Sequence, residues 1–247
     1  MASAVNELIL SLFPGIGLLD RGFEENGFCI VRGPDLLWGG DIRRFHPPPD
    51  IFGGVIGGPP CQAFSSFVHL VRHNGARVAA DLIPEFVRVV MEARPEWFLM
   101  ENVKAAPIPE VPGYRVHAPC FNNRWIGGEQ SRLHRFSFGT RTGIRLETGR
   151  FQVALDNPRF SRRVCARGGW TPKLDRNGRP QKVRRASEWG YRSMKYFREA
   201  SRLQGLPDDF DLPAFTVENK IRVLGNAVPL PMARVLARAV KLALERA

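Results

Sequence analysis

Apolar residues in the first third of the chain fall in short blocks separated by glycine and proline. Glu7–Phe13 is a compact apolar run with strand character, and Pro14-Gly15-Ile16-Gly17 is a tight turn behind it. Leu18–Asn26 then sets Leu18, Leu19, Gly22 and Phe23 at helical spacing, with Gly27 as its stop. Phe28–Val31 and Ile51–Ile56 are predicted as the second and third strands. Over Ala79–Ala93 the period becomes helical, with Leu82, Ile83, Phe86, Val87, Val90 and Met91 in one stripe. Pro95 and Glu96 break that helix before a fourth strand, Trp97–Met100. Such βαβ alternation predicts an α/β fold, a mostly parallel sheet with helices on both faces. Ligands of these sheets bind at the carboxyl ends of the strands, where Gly15, Gly17, Asp35, Cys61 and Glu101 fall.

Arg115–Phe121 and Arg135–Thr140 are candidates for later strands, Lys195–Gln204 for a helix and Pro231–Arg246 for a final one. Between them the periodicity fades. The expected organisation is one α/β domain, residues 1–140 and 193–247, interrupted by a small loop-rich region, 141–192.

Charge sharpens that division. The chain carries +12 at pH 7, and Arg141 to Arg198 holds 16 Lys and Arg against 4 Asp and Glu. The rest of the chain has 20 of each sign, so the whole excess lies in this segment. Arginine outnumbers lysine there, and Trp170, Trp189, Tyr191 and Tyr196 are interleaved with it. A solvated basic loop would need no aromatics. Their presence favours contact with nucleic acid, phosphate forks and base edges included.

Composition excludes other classes. At 247 residues and 44% hydrophobic, the chain can bury one good core. It has no apolar run of about 18 residues, so no membrane span is expected. The start, MASAVNEL, lacks the basic stretch of a secretory leader. Cys29, Cys61, Cys120 and Cys165 are scattered without CxxC pairs or histidine clusters, so no metal site is expected. Reduced cytosolic thiols are the expectation, with Cys29 and Cys120 packed in the core.

Cys61 is different. It follows Gly57-Gly58-Pro59-Pro60 at the end of a strand, which places its thiol on a rigid loop rather than in a core. Glu101-Asn102-Val103 ends another strand and offers a carboxylate for a ring nitrogen. Gln130-Ser131-Arg132-Leu133-His134-Arg135 offers donors for a base carbonyl or a phosphate, although Arg132 alone would pass as a surface ion-pairing residue. Two glycines in Phe13-Pro14-Gly15-Ile16-Gly17 allow close backbone approach to a ligand. Asp35 suits ribose hydroxyls and Asp41 an adenine amino group, and each also suits a solvated turn. Gly225-Asn226-Ala227-Val228-Pro229 by itself passes as an ordinary turn before the last helix.

In this order the pieces resemble the DNA cytosine-5 methyltransferase family. FPGIG is similar to its first motif, GGPPCQAFS to its nucleophile loop, MENV to its catalytic glutamate and QSRLHR to its glutamine–arginine motif. REASRLQGLPDDF and GNAVP resemble the last two motifs, so six motifs span Phe13 to Pro229. The resemblance implies a Rossmann-like fold that binds S-adenosyl-L-methionine (AdoMet) through Phe13, Pro14, Gly15, Ile16, Gly17, Leu18, Asp35, Leu36, Asp41, Ile42, Pro59, Leu82, Asn226, Ala227 and Val228. It implies a catalytic set of Cys61, Glu101, Gln130 and Arg132, and double-stranded DNA as partner of a monomer. DNA contacts would come from Gln62, Ser65, Arg77, His134 and Arg135, and from Arg159, Arg162, Arg163, Arg184 and Arg185 of the basic region. Ser65 to Arg77, with Gly75 as hinge, would close over the base. Three positions depart from the pattern. Ser11 stands where an aspartate is usual, and the stretch from Asp35 to Asp41 is compressed. His134 occupies the place of the second arginine, with Arg135 one residue later. The implied reaction is methyl transfer to cytosine C5 through a Cys61 adduct. A tRNA cytosine-5 methyltransferase shares this chemistry, and a catalytically silent DNA-binding protein is the alternative of another class.

Overall fold

A computed structural model describes residues 6–64, 80–148 and 193–246. Four parallel strands lie in the order β2-β1-β3-β4: β1 (Leu8–Leu12), β2 (Cys29–Arg32), β3 (Gly54–Gly57) and β4 (Trp97–Asn102). The sheet then continues antiparallel. β5 (Arg115–His117), β6 (Cys120–Asn122) and β7 (Leu133–Thr140) complete it, with β7 against β4 and both short strands on β7.

Alternation along the strands sorts the core into two layers. Ile9, Ile56, Trp97, Leu99, Phe136 and Phe138 face α1 (Leu18–Glu24) and the final helix, Leu230–Glu245. Leu10, Leu12, Val55, Phe98 and Met100 face α2 (Ile83–Ala93) on the other side. Full burial of each such side chain contributes about 1.5–3 kcal/mol. A third cluster joins Leu18 to α3 (Met194–Leu203) and α4 (Val217–Asn226), through Phe197, Leu203, Ile221 and Leu224. The final helix is α5. Helices thus cover both faces, and the fold expectation holds.

Several boundaries move. β4 runs on to Asn102, so Glu101 sits within a strand instead of past its end. α2 starts at Ile83, where the Asp81 carboxylate accepts from the Ile83 amide at 2.9 Å and Pro84 suits the first turn. Arg115–Phe121 is two strands, because Pro119 has no N–H to donate to a ladder. Cys29 is a correction: it is exposed on β2, an edge strand with little cover, and Cys120 is only half-buried. Tyr196, counted among the aromatics of the basic segment, is buried in the third cluster. The sequence pattern did not single out α4. Its signal is the Thr216 cap followed by Val217, Ile221 and Leu224 at helical spacing.

Candidate active site

β1 delivers Phe13 to Gly17 to the carboxyl edge of the sheet. Gly15 has φ +56° and Gly17 φ +75°, which L side chains rarely adopt, and the Gly17 amide donates to the Pro14 carbonyl. The segment after β2 is laced onto this turn. Asp35 accepts from the Gly15 amide at 2.8 Å and the Leu37 amide at 2.7 Å, while the Trp38 indole donates to the Gly15 carbonyl at 2.7 Å. Each Asp35 oxygen keeps acceptor capacity for a further donor. Leu36 and Trp38 stand exposed beside the turn, and the Trp38 ring meets Phe215 edge to face.

The turn is anchored from beneath by a residue that sequence reasoning missed. Asp20 of α1 is fully buried, accepts from the Ser11 hydroxyl at 2.5 Å and pairs with Arg32 at 2.9 Å. Burial pushes its carboxyl above the usual range, with Ser11 and Arg32 opposing. Ser11 therefore does not leave the strand end without a carboxylate. Asp41 caps the short turn Ile42–Arg44 and pairs with Arg43. Ile42 is buried and Leu82 half-buried in the α2 layer. On the other side Ile16, Leu18 and Ala227 share the third cluster, which brings the loop after α4 beside the glycine turn. Asn226, the last residue of α4, is exposed, and Val228 in the loop is buried.

The cysteine loop leaves β3 next door. The Asn102 amide donates to the Pro59 carbonyl at 3.1 Å, and this tether from β4 fixes the loop that turns at Pro60 into Cys61. Cys61 is half-buried, and Gln62 beside it is exposed. Burial pushes the Cys61 thiol up, the Glu101 charge adds to this, and Arg132 opposes it. Glu101 reaches the loop because Gly58 has no side chain: a Cβ there would lie 2.7 Å from Glu101 Oε2.

Strand periodicity brings the remaining groups to one face. Trp97, Leu99 and Glu101 alternate on β4, while Arg132, His134, Phe136 and Phe138 alternate at and along β7. The apolar stripe of that layer thus ends in a polar cluster. Arg132 Nε donates to His134 Nε2 at 2.9 Å, and His134 Nδ1 contacts Glu101 Oε1. All three side chains are buried. Arg135 points elsewhere, donating to the Ala106 carbonyl at 2.5 Å. Gln130 lies fully buried behind the cluster, its amide donating to the Leu203 carbonyl and to Gln204 Oε1. Gln204 in turn donates to the Leu224 and Ala227 carbonyls, which ties α3, the loop after α4 and the Gln130 segment together. Ser65, Arg77, Arg159, Arg162, Arg163, Arg184 and Arg185 lie outside the described residues. No helix among the described residues is long and apolar enough to cross a membrane.

Residues 39–107 and 140–242 match the family model described as C-5 cytosine-specific DNA methylase. The type II methyltransferase M.NgoPII of Neisseria gonorrhoeae is 26% identical over 331 aligned positions, covering 96% of each chain. M.FnuDI of Fusobacterium nucleatum, also a type II methyltransferase, is 26% identical and covers 94% of each. Both alignments exceed the 247 residues present here, so these relatives carry insertions relative to this chain. A crystal structure of a Spodoptera frugiperda DNMT2 variant shares the fold at a TM-score of 0.59, with 14% identity, over 95% of this chain and 99% of that one.

Proposed function

The chain belongs to the C-5 cytosine-specific DNA methylase family, and from that premise we propose that it methylates C5 of cytosine in a specific duplex DNA sequence through a covalent bond to Cys61. The observation that carries this reading is the cysteine loop tethered by Asn102 beside the buried cluster of Glu101, His134 and Arg132. The family implies AdoMet, and the residues at the strand ends fit it. A Cβ at Gly15 would project into open space, so a backbone cradle faces outward there, flanked by Asp35 and the exposed Leu36 and Trp38. Phe13 to Leu18, Asp35, Leu36, Asp41, Ile42, Pro59, Leu82 and Asn226 to Val228 would hold it, and when bound it supplies an electrophilic methyl group.

Cytosine C5 is a poor nucleophile until the ring is activated. Cys61 loses its thiol proton and its sulfur bonds to C6. Negative charge then builds toward N3, where Glu101 supplies a proton or hydrogen bond with Arg132 nearby. After methylation, loss of the C5 proton and elimination of Cys61 release 5-methylcytosine. These atoms are out of reach inside a duplex, so the base must be flipped out at a cost of a few kcal/mol. Gln62, exposed on the loop, would enter the gap, and residues 65–77 are proposed to close over the base. Residues 141–192 are proposed as the target-recognition region, with its arginines on phosphates and bases.

Bisulfite sequencing of plasmid DNA from a methylation-free host expressing the chain tests the reading. Cytosine C5 methylation in one sequence context is expected, lost with Cys61→Ala although DNA binding persists. Full turnover by that variant would end the assignment. Greater tritium transfer to tRNA than to duplex DNA would move the substrate.

A further inference from the structure

His134 stands where the family resemblance places an arginine, and its surroundings give it a different task. Arg132 donates from Nε to His134 Nε2, and a guanidinium has only donors, so Nε2 carries no hydrogen. The ring hydrogen is therefore on Nδ1, the atom that faces Glu101 Oε1. In this state both ring nitrogens are engaged, and none is left to donate to a base carbonyl as an arginine would. Meanwhile the second Glu101 oxygen, Oε2, is the one that lies against Gly58 of the cysteine loop.

We propose that His134 is a positioning residue for methyl transfer: neutral, held by Arg132, it fixes Glu101 by one oxygen so that the other faces the Cys61 loop and N3 of the target cytosine. This rests on the functional reading above. Glu101 from β4 and Arg132 from the head of β7 both contact the His134 ring, and β6 sets Phe121 opposite it in the sheet.

The test uses the full chain with duplex DNA, comparing wild type, His134→Asn and His134→Phe. Asparagine can place an amide N–H where Nδ1–H was, whereas phenylalanine fills the space without a donor. Single-turnover methyl transfer and exchange of the cytosine C5 hydrogen are followed, with DNA affinity measured separately. His134→Phe should lose about 100-fold or more in both chemical readouts, the range of a displaced general acid, with DNA affinity unchanged. His134→Asn should restore most of the rate. A wild-type rate in His134→Phe, or an asparagine variant as poor as phenylalanine, would overturn the proposal. Should His134→Phe fail to fold, His134→Ala takes its place with the same outcomes. If the wild type leaves cytosine C5 unmethylated, the functional reading falls, and this one with it.

Discussion

Two adjacent glycines separate folding from chemistry at this site. An alanine Cβ at Gly58 would lie 2.7 Å from Glu101 Oε2, against an ordinary contact beginning at 3.4 Å. The carboxylate must then retreat by about 0.7 Å, and because its other oxygen is engaged by His134 it cannot do so without loosening that contact. Displacements near this size cost up to about 100-fold in rate when they misplace a reacting group. The stability cost should be small, about 0.5–1.5 kcal/mol, since only the end of one side chain leaves its rotamer. Gly58 is not at positive φ, so its backbone accepts alanine. Gly57→Ala is the contrast. Its Cβ would meet the Leu12 carbonyl at 2.6 Å and Leu12 Cβ at 3.1 Å on the neighbouring parallel strand, where neither can yield. Overpacking of that kind costs about 1–3 kcal/mol. Urea denaturation and single-turnover methyl transfer on the two variants measure both quantities. Gly58→Ala should be nearly as stable as wild type and slow, Gly57→Ala destabilised and closer to the wild-type rate per folded molecule. A Gly58→Ala variant that turns over at the wild-type rate would refute the placement of Glu101 against the cysteine loop.

Other outcomes follow from the same geometry. Gln204→Leu removes three hydrogen bonds, the buried ones to Gln130 and Leu224 and a part-buried one to Ala227, and should lower stability by about 3 kcal/mol at roughly 1 kcal/mol each; an unchanged melting temperature would sink that account. Burial and Glu101 raise the Cys61 thiol, so methyl transfer should climb with pH above neutrality, and Arg132→Met should move that climb to higher pH because Arg132 is the opposing charge. For stability the trend with pH is the opposite: the contribution of the buried thiol is present below the ordinary thiol pKa and is lost as pH rises through the raised one. Neutralising Arg159, Arg162 and Arg163 should weaken DNA binding across sequences and flatten its salt dependence by about one unit of slope for each phosphate left without its arginine. An unchanged slope would place the DNA interface elsewhere.

What the sequence made legible was local. Strand ends, glycine turns and the Pro59-Pro60-Cys61 loop announce themselves because their constraints act within a few residues: a missing N–H, a positive φ, an apolar run that stops. The polar cluster was only partly legible: one motif holds Arg132 and His134, but the expected strand, Arg135–Thr140, left both outside it, whereas β7 starts at Leu133 and sets them on one face with Arg135 on the other. The partner on that face was not legible, because Glu101 lies 33 residues from His134 and meets it only once β7 turns antiparallel to β4. Gln204 sits in a quoted motif, yet its role was invisible for the same reason: its partners are 20 to 74 residues away, so a glutamine just past a helix gives no hint that it joins three segments. Cys29 failed in the opposite direction, since apolar neighbours cannot tell an edge strand from a central one. The replacement of Ser11 shows how these limits combine. Read along the chain it is a missing carboxylate; in the fold Asp20 supplies one from α1, and Arg32 at the end of β2 neutralises it under the glycine turn. Motifs thus locate the chemistry, while its protonation and aim are set by contacts between distant motifs, and by residues such as Asp20 and Arg32 that no motif contains.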